Sequence, residues 1–177
     1  MSQALATKPD AGPDTSFSFD ELYRQNRDDV YAYAAGLLRD RSAAEEVVST
    51  AFERAYRKRG RFNPDRGSAR AWLFGVVRNA ALDELRRRRR HAPLSDELHD
   101  VTAHTGGDGV ERTELRLALR DALEALPSRD RELVALKFFA GLSNAEIARV
   151  LGISESNAGT KLHRVVTKLR EACDGAA

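Results

Sequence analysis

The chain has 177 residues, room for one ordinary domain or two small ones joined by a linker. Charged residues make up 32% of it, yet 29 Lys and Arg against 27 Asp and Glu leave a formal charge of only +2, so attraction to a polyanion must come from local clusters. Cys173 is the sole cysteine, which excludes an internal disulfide and a cysteine-based zinc site and suits a reducing compartment.

No apolar run approaches the ~18 residues of a membrane span, and the opening MSQALATKPDAGPDTSF has neither the basic start nor the apolar middle of a signal peptide. A cytoplasmic protein is expected. Residues 1–17 mix Ser, Thr, Pro, Gly, Asp and Ala without periodicity and read as a mobile tail, because little surface is available to offset ordering entropy. Ser18 with Glu21 then forms a capping signature, and Phe19, Leu22, Tyr23, Val30, Tyr31, Ala34, Leu37 and Leu38 recur at helical spacing. Ser42 with Glu45 repeats the signature ahead of a stripe of Val47, Val48, Ala51, Phe52, Ala55 and Tyr56, which Gly60 stops. The segment Arg61 to Gly67 reads as a loop. Ser68 caps a third helix through Trp72, Leu73, Val76, Val77, Ala80, Ala81 and Leu85, with Trp72 assigned to the core.

Five consecutive arginines, Arg86 to Arg90, close that unit. The Gly-rich stretch that follows carries Asp96, Glu97, Asp100, Asp108 and Glu111 with no Lys or Arg, the composition of a flexible acidic linker. Beyond it Leu115, Ala118, Leu119, Ala122, Leu123 and Leu126 make a helical stripe ended by Pro127, and Ser128 opens a helix bearing Leu133, Val134, Leu136 and Phe138 that Gly141 terminates. Ser143 with Glu146 caps a short helix, Gly152 turns the chain, and Ser154 caps a longer helix to about Ala172, the layout of a helix-turn-helix. Nothing alternates with period two. The expected fold is all-α: two small helical domains, 18–90 and 112–173, joined by a linker over 91–111.

In the final helix Leu162, Val165, Val166 and Leu169 should face a core, leaving Lys161, Arg164 and Lys168 on the outside. Ser156, Asn157 and Thr160 occupy the early turns, the part of a recognition helix that reaches base edges. Phosphate anchors and short base readers are thus both present. Gly159, awkward inside a helix at ~1 kcal/mol relative to Ala, reads equally as a close backbone approach to DNA or as a tolerated weakness.

Together the two halves resemble the extracytoplasmic-function (ECF) subfamily of RNA polymerase sigma factors, from about Phe19 to Glu171. LPSRDRELVALKFFAGLSNAEIARVLGISESNAGTKLHR looks like sigma region four, RSAAEEVVSTAFERAY like the clamp-binding helix of region two, and GRFNPDRGSARAWLFGVVRNAALDELRRRRR like the loop and helix that open the −10 element. The resemblance implies a non-enzymatic subunit in which Ser156, Asn157, Thr160, Lys161, Arg164 and Lys168 bind the −35 element. It implies the −10 strand for Phe62, Asn63, Arg66, Arg70, Arg78, Asn79, Arg86 and Arg87, the loop Phe62 to Ser68 forming the pocket for an unstacked base. Glu45, Glu46 and Arg54 would meet the β′ clamp of core RNA polymerase, and region four the β flap. Ser49, Thr50 and Ala51 depart from the residues usual there. The linker would run along the RNA path of the polymerase, and an anti-sigma factor would be a further partner.

A stand-alone helix-turn-helix regulator is the other reading, and it predicts tight, sequence-specific DNA binding without polymerase. An enzyme finds no support, since His91, His99, His104 and His163 are scattered, with no nucleophile constellation, metal spacing or phosphate-cradling Gly loop, and no cofactor is expected.

Overall fold

In the computed structural model the described residues are 17–91 and 110–174, with the side chains of 110–113 left out of the description. Residues 1–16 of the expected 1–17 tail and most of the expected linker lie outside them. Seven α-helices follow in order: α1 Phe19–Leu38, α2 Arg41–Lys58, α3 Ala69–His91, α4 Val110–Ala125, α5 Ser128–Phe138, α6 Asn144–Leu151 and α7 Glu155–Asp174. Two short 3-10 turns, Arg59–Arg61 and Pro64–Arg66, connect α2 to α3.

The helix ends explain the first unit. The Ser18 hydroxyl accepts from the Glu21 N–H to start α1, and Arg39, at φ 53°, ends it by donating its N–H to the Ala35 carbonyl. A left-handed residue followed at once by an extended cap reverses the chain within two residues. That cap is Asp40, whose carboxylate accepts from the Ala43 N–H at 3.0 Å, and not Ser42 as the Ser-Glu spacing suggested. Both residues satisfy the same local rule, and the earlier one lies where α1 releases the chain. Ser68 caps α3 as expected, accepting from the Ala71 N–H at 3.1 Å.

Helices α1, α2 and α3 pack around Val30, Tyr33, Ala44, Ala51, Leu73, Phe74 and Val77, all essentially sealed from solvent. Small residues at the contacts, including Ala34, Ala55 and Ala81, let the backbones approach closely. Phe17, assigned to the tail by composition, instead packs on this unit, its ring 5.1 Å from Phe62 and 6.1 Å from Trp72. Two aromatic contacts thus hold the residue that precedes the α1 cap. Trp72 is half-buried in the same aromatic group, 5.8 Å from Phe62.

In the second unit α4, α5 and α6 gather around α7. A small cluster of Leu126, Val134, Val165 and Leu169 holds α4 and α5 to α7. The larger core does not stop at the unit boundary: Leu133, Leu136, Ala140, Leu142, Ile147, Ala148, Ala158 and Leu162 belong to the same buried cluster as the three N-terminal helices. Two stripe assignments fail here. Leu115 and Leu119 of α4 are exposed, and Phe138 is 62% exposed at the end of α5.

Candidate nucleic-acid interface

The helix-turn-helix is built from three local devices. Ser143 and Glu146 form a reciprocal capping box at the start of α6, and Gly152, at φ 68°, ψ 37°, supplies the left-handed turn after it. The Ser154 hydroxyl accepts from the Asn157 N–H at 3.2 Å and so starts α7. Leu162, Val165 and Leu169 are buried and Val166 half-buried, which fixes the rotation of α7 about its axis. Ser156, Asn157 and Thr160 are then exposed on the first turns, with Arg164 and Lys168 exposed and Lys161 half-buried along the same side. None of the three cations makes an ion pair with a carboxylate among the described residues. Gly159 faces Asn144 of α6: a Cβ there would lie 3.4 Å from the Asn144 amide nitrogen. That is at the edge of ordinary van der Waals contact, so the crossing of the two helices does not demand a glycine.

The residues expected at the −10 strand divide between two faces of α3 and its preceding loop. Asn79 is exposed, as are Arg86, which pairs with Asp83 at 3.3 Å, and Arg87, which pairs with Glu84 at 2.7 Å. Arg87 and Arg88, whose Nε lies 2.9 Å from Glu84, hold the Glu84 carboxyl below the usual carboxylate range through these hydrogen bonds. The five-arginine run is therefore partly neutralised by its own chain. Phe62 is half-buried against Phe17 and Trp72, and Asn63 accepts from the Asp65 N–H at 2.9 Å to order the loop. Arg66 projects from that loop, exposed.

Arg70 and Arg78 point the other way, towards the C-terminal unit. Arg78 Nε donates to Glu132 of α5 at 2.7 Å, and the Tyr33 hydroxyl donates to the same carboxylate oxygen at 3.0 Å. Burial, reinforced by the Glu132 charge, raises the Tyr33 phenol well above its ordinary value. Arg70 pairs with Asp29 at 2.6 Å, bonds Asn26, and reaches the Phe139 carbonyl at 3.1 Å and the Ala140 carbonyl. Nearby the Ser68 hydroxyl bonds Glu146, and Arg149 donates to the Arg66 carbonyl at 2.8 Å. Burial works against the Glu146 charge, yet hydrogen bonds from Ser68 and Ser143 leave its carboxyl below the ordinary value.

Sequence reasoning missed Asn26, Asp29, Tyr33, Glu132, Glu146 and Arg149 as members of this junction. The available signal was Asn26 and Glu132, polar residues at positions where an apolar helix stripe should continue; each is under 8% exposed. On α2, Glu45 and Glu46 are exposed as expected, whereas Arg54 is occupied with Asp83 of α3 at 3.0 Å.

Comparison with known proteins matches these two units to two family models, Sigma-70 region 2 over residues 22–91 and Sigma-70 region 4 over residues 116–169. The ECF RNA polymerase sigma factor SigL of Mycobacterium tuberculosis is 33% identical over 150 residues, 84% of this chain and 85% of that protein. The chain belongs to the ECF subfamily of RNA polymerase sigma factors. It is therefore a sigma factor, which directs RNA polymerase to promoters. The ECF sigma factor SigM of Bacillus subtilis is 27% identical over 154 residues, 86% of this chain and 93% of the relative. The fold is shared with the sigma factor RpoE of Bartonella quintana, solved in complex with the anti-sigma factor NepR, at TM-score 0.73 and 23% identity over 88% of this chain and 96% of that one. No described helix of this sigma factor is long and apolar enough to cross a membrane.

Proposed function

We propose that this sigma factor reads the −35 duplex with α7 and holds the opened −10 strand with α3 and the loop before it. The observation that carries the reading is α7 itself: a cation row without ion pairs among the described residues, beside exposed Ser156, Asn157 and Thr160, on a helix whose rotation is fixed by a buried apolar edge. Lys161, Arg164 and Lys168 would position the helix on phosphates, and the three short polar side chains would read base edges. Phe62, Asn63, Arg66 and Asn79 supply ring, amide and guanidinium groups for a base that has left the stack, with Arg70, Arg78, Arg86 and Arg87 as phosphate partners. Glu45 and Glu46 present the charged surface that meets the β′ clamp, Arg54 supports it from the side, and the C-terminal unit docks on the β flap.

The protein carries no catalysis of its own in this reading and works in the cytoplasm, where polymerase is. An anti-sigma factor is a partner of the same reading, supported by the shared fold with the Bartonella protein captured with one. Copurification from unstressed cells with no stoichiometric partner would remove it.

In vitro transcription of genomic fragments, with core RNA polymerase of the source organism and with or without this chain, tests the central claim. Discrete new start sites that disappear when Lys161 and Arg164 are both changed to Ala are expected. Tight fragment binding by the chain alone, with no new transcripts, would establish the stand-alone regulator instead.

A further inference from the structure

Asp83 of α3 is held by two arginines at once. Its Oδ2 accepts from Nη1 of Arg54 on α2 at 3.0 Å, and its Oδ1 accepts from Nη1 of Arg86, one turn further along α3, at 3.3 Å. Arg54 lies at the side of the α2 surface that presents Glu45 and Glu46, whereas Arg86 is among the phosphate partners of the opened strand. One carboxylate therefore joins a cation on the polymerase side to a cation on the promoter side. The neighbouring pairs differ. Glu84 bonds Arg87 and Arg88, and Arg88 is tied as well to Asp40, the cap of α2. Arg54 and Arg86 have no carboxylate partner besides Asp83 among the described residues.

A single negative charge cannot neutralise both guanidiniums. The Arg54 side chain is 42% exposed and that of Arg86 69%, so each is open to an outside acceptor. A phosphate that takes Arg86 leaves Asp83 to Arg54, and a clamp oxygen that takes Arg54 leaves Asp83 to Arg86. We propose that Asp83 is a positioning residue that sets the clamp contact of Arg54 against the strand contact of Arg86, so that capture of the opened −10 strand loosens the sigma factor at that point of core polymerase. The inference rests on the reading that places Arg54 at the clamp and Arg86 at the strand. Linkage makes the antagonism reciprocal: clamp engagement of Arg54 weakens the strand's hold by the same factor. An exposed ion pair shifts such an equilibrium by roughly threefold, and salt screens it. The effect is a local correction within a larger, favourable cooperation between polymerase and promoter.

The test measures the affinity of the full chain for core RNA polymerase with and without a fork-junction promoter fragment, in the parent and in Asp83→Asn, Arg54→Ala and Arg86→Ala. The ratio of the two affinities is the coupling factor. Asp83→Asn keeps the shape of the side chain and removes its charge. The tightening that DNA confers on core binding should therefore become roughly threefold larger in dilute salt, and the gain should fade in concentrated potassium chloride. A merely structural role for Asp83 would shift both affinities together and leave the ratio and its salt dependence alone. An unchanged ratio in Asp83→Asn overturns the inference. The arginine variants separate that result from failure of the underlying reading. Arg54→Ala should weaken core binding in the absence of DNA, and Arg86→Ala should lower the salt slope of fork binding by holoenzyme by about 0.9. If both do so and the ratio stays fixed, only the antagonism is discarded. If either variant behaves as the parent, the assignment of that arginine falls and the inference falls with it.

Discussion

Changing Lys161 and Arg164 together to Ala tests the recognition helix through its salt dependence. The two lie one turn apart on the outer side of α7 and make no ion pair among the described residues, so their loss breaks none there. Each phosphate contact contributes about 0.9 to the slope of log affinity against log salt, so the pair should lower the slope by about 1.8. Over a threefold rise in salt this alone amounts to about sevenfold in relative affinity: the variant's deficit is large in dilute salt and shrinks as salt rises. The assay is fluorescence anisotropy of holoenzyme on a promoter fragment across a potassium chloride series, with thermal unfolding as the control. Unfolding should stay within about 0.5 kcal/mol of the parent, as for surface substitutions outside core and caps. Parallel lines for parent and variant would refute the assignment of these side chains to phosphates, whatever the absolute affinities. Ser156→Ala and Asn157→Ala should instead leave the slope alone and alter discrimination between −35 sequences.

Asp40→Ala should cost about 1 kcal/mol by removing the cap of α2, with a further loss from its 2.9 Å bridge to Arg88, while Ser42→Ala should be near neutral in the same thermal melts. Equal effects would restore Ser42 as the cap. Gly152→Ala should cost about 1 kcal/mol, since a Cβ is disfavoured at φ 68°, and a parent-like melting temperature would contradict the left-handed turn. Tyr33 sets an alkaline limit. Its pKa is raised on folding, so its contribution is complete below the ordinary value of 10.0 and is lost as pH rises through the higher folded value. A pH series of melts should fall above about pH 10 and fall less in Tyr33→Phe; an identical alkaline limb in both would exclude this phenol as the cause. Asp40 acts at the other extreme. The Ala43 N–H, followed by the Arg88 side chain, lowers its pKa from 3.8, so its contribution is present above that value and is lost as pH falls below it, a loss that Asp40→Ala should remove.

The sequence by itself determined what depends on near neighbours. Helical periodicity located all seven helices, because an amphipathic stripe is a property of residues three and four apart. The helix-turn-helix was legible to the residue, since the Ser143–Glu146 box, Gly152 and the Ser154 cap act over three or four positions and need no distant partner. The outward row of α7 followed from the same arithmetic, its inner edge being uniformly apolar.

Only the tertiary structure decided which polar groups meet. Arg70 and Arg78 read as free phosphate partners because their carboxylates and carbonyls come from α1, α5 and the two residues after α5, up to 70 positions away for the Arg70 contact with Ala140. Tyr33 and Glu132, separated by 99 positions, had no sequence signal connecting them beyond a polar residue on an apolar stripe. Leu115, Leu119 and Phe138 show the converse: an apolar side chain is buried only where another element covers it, and none of the described ones does so there. The closed arrangement of two units that composition separates is thus a long-range electrostatic and packing result. Local patterning fixes helices and their caps, but the pairing of charges across a chain depends on where those helices come to rest.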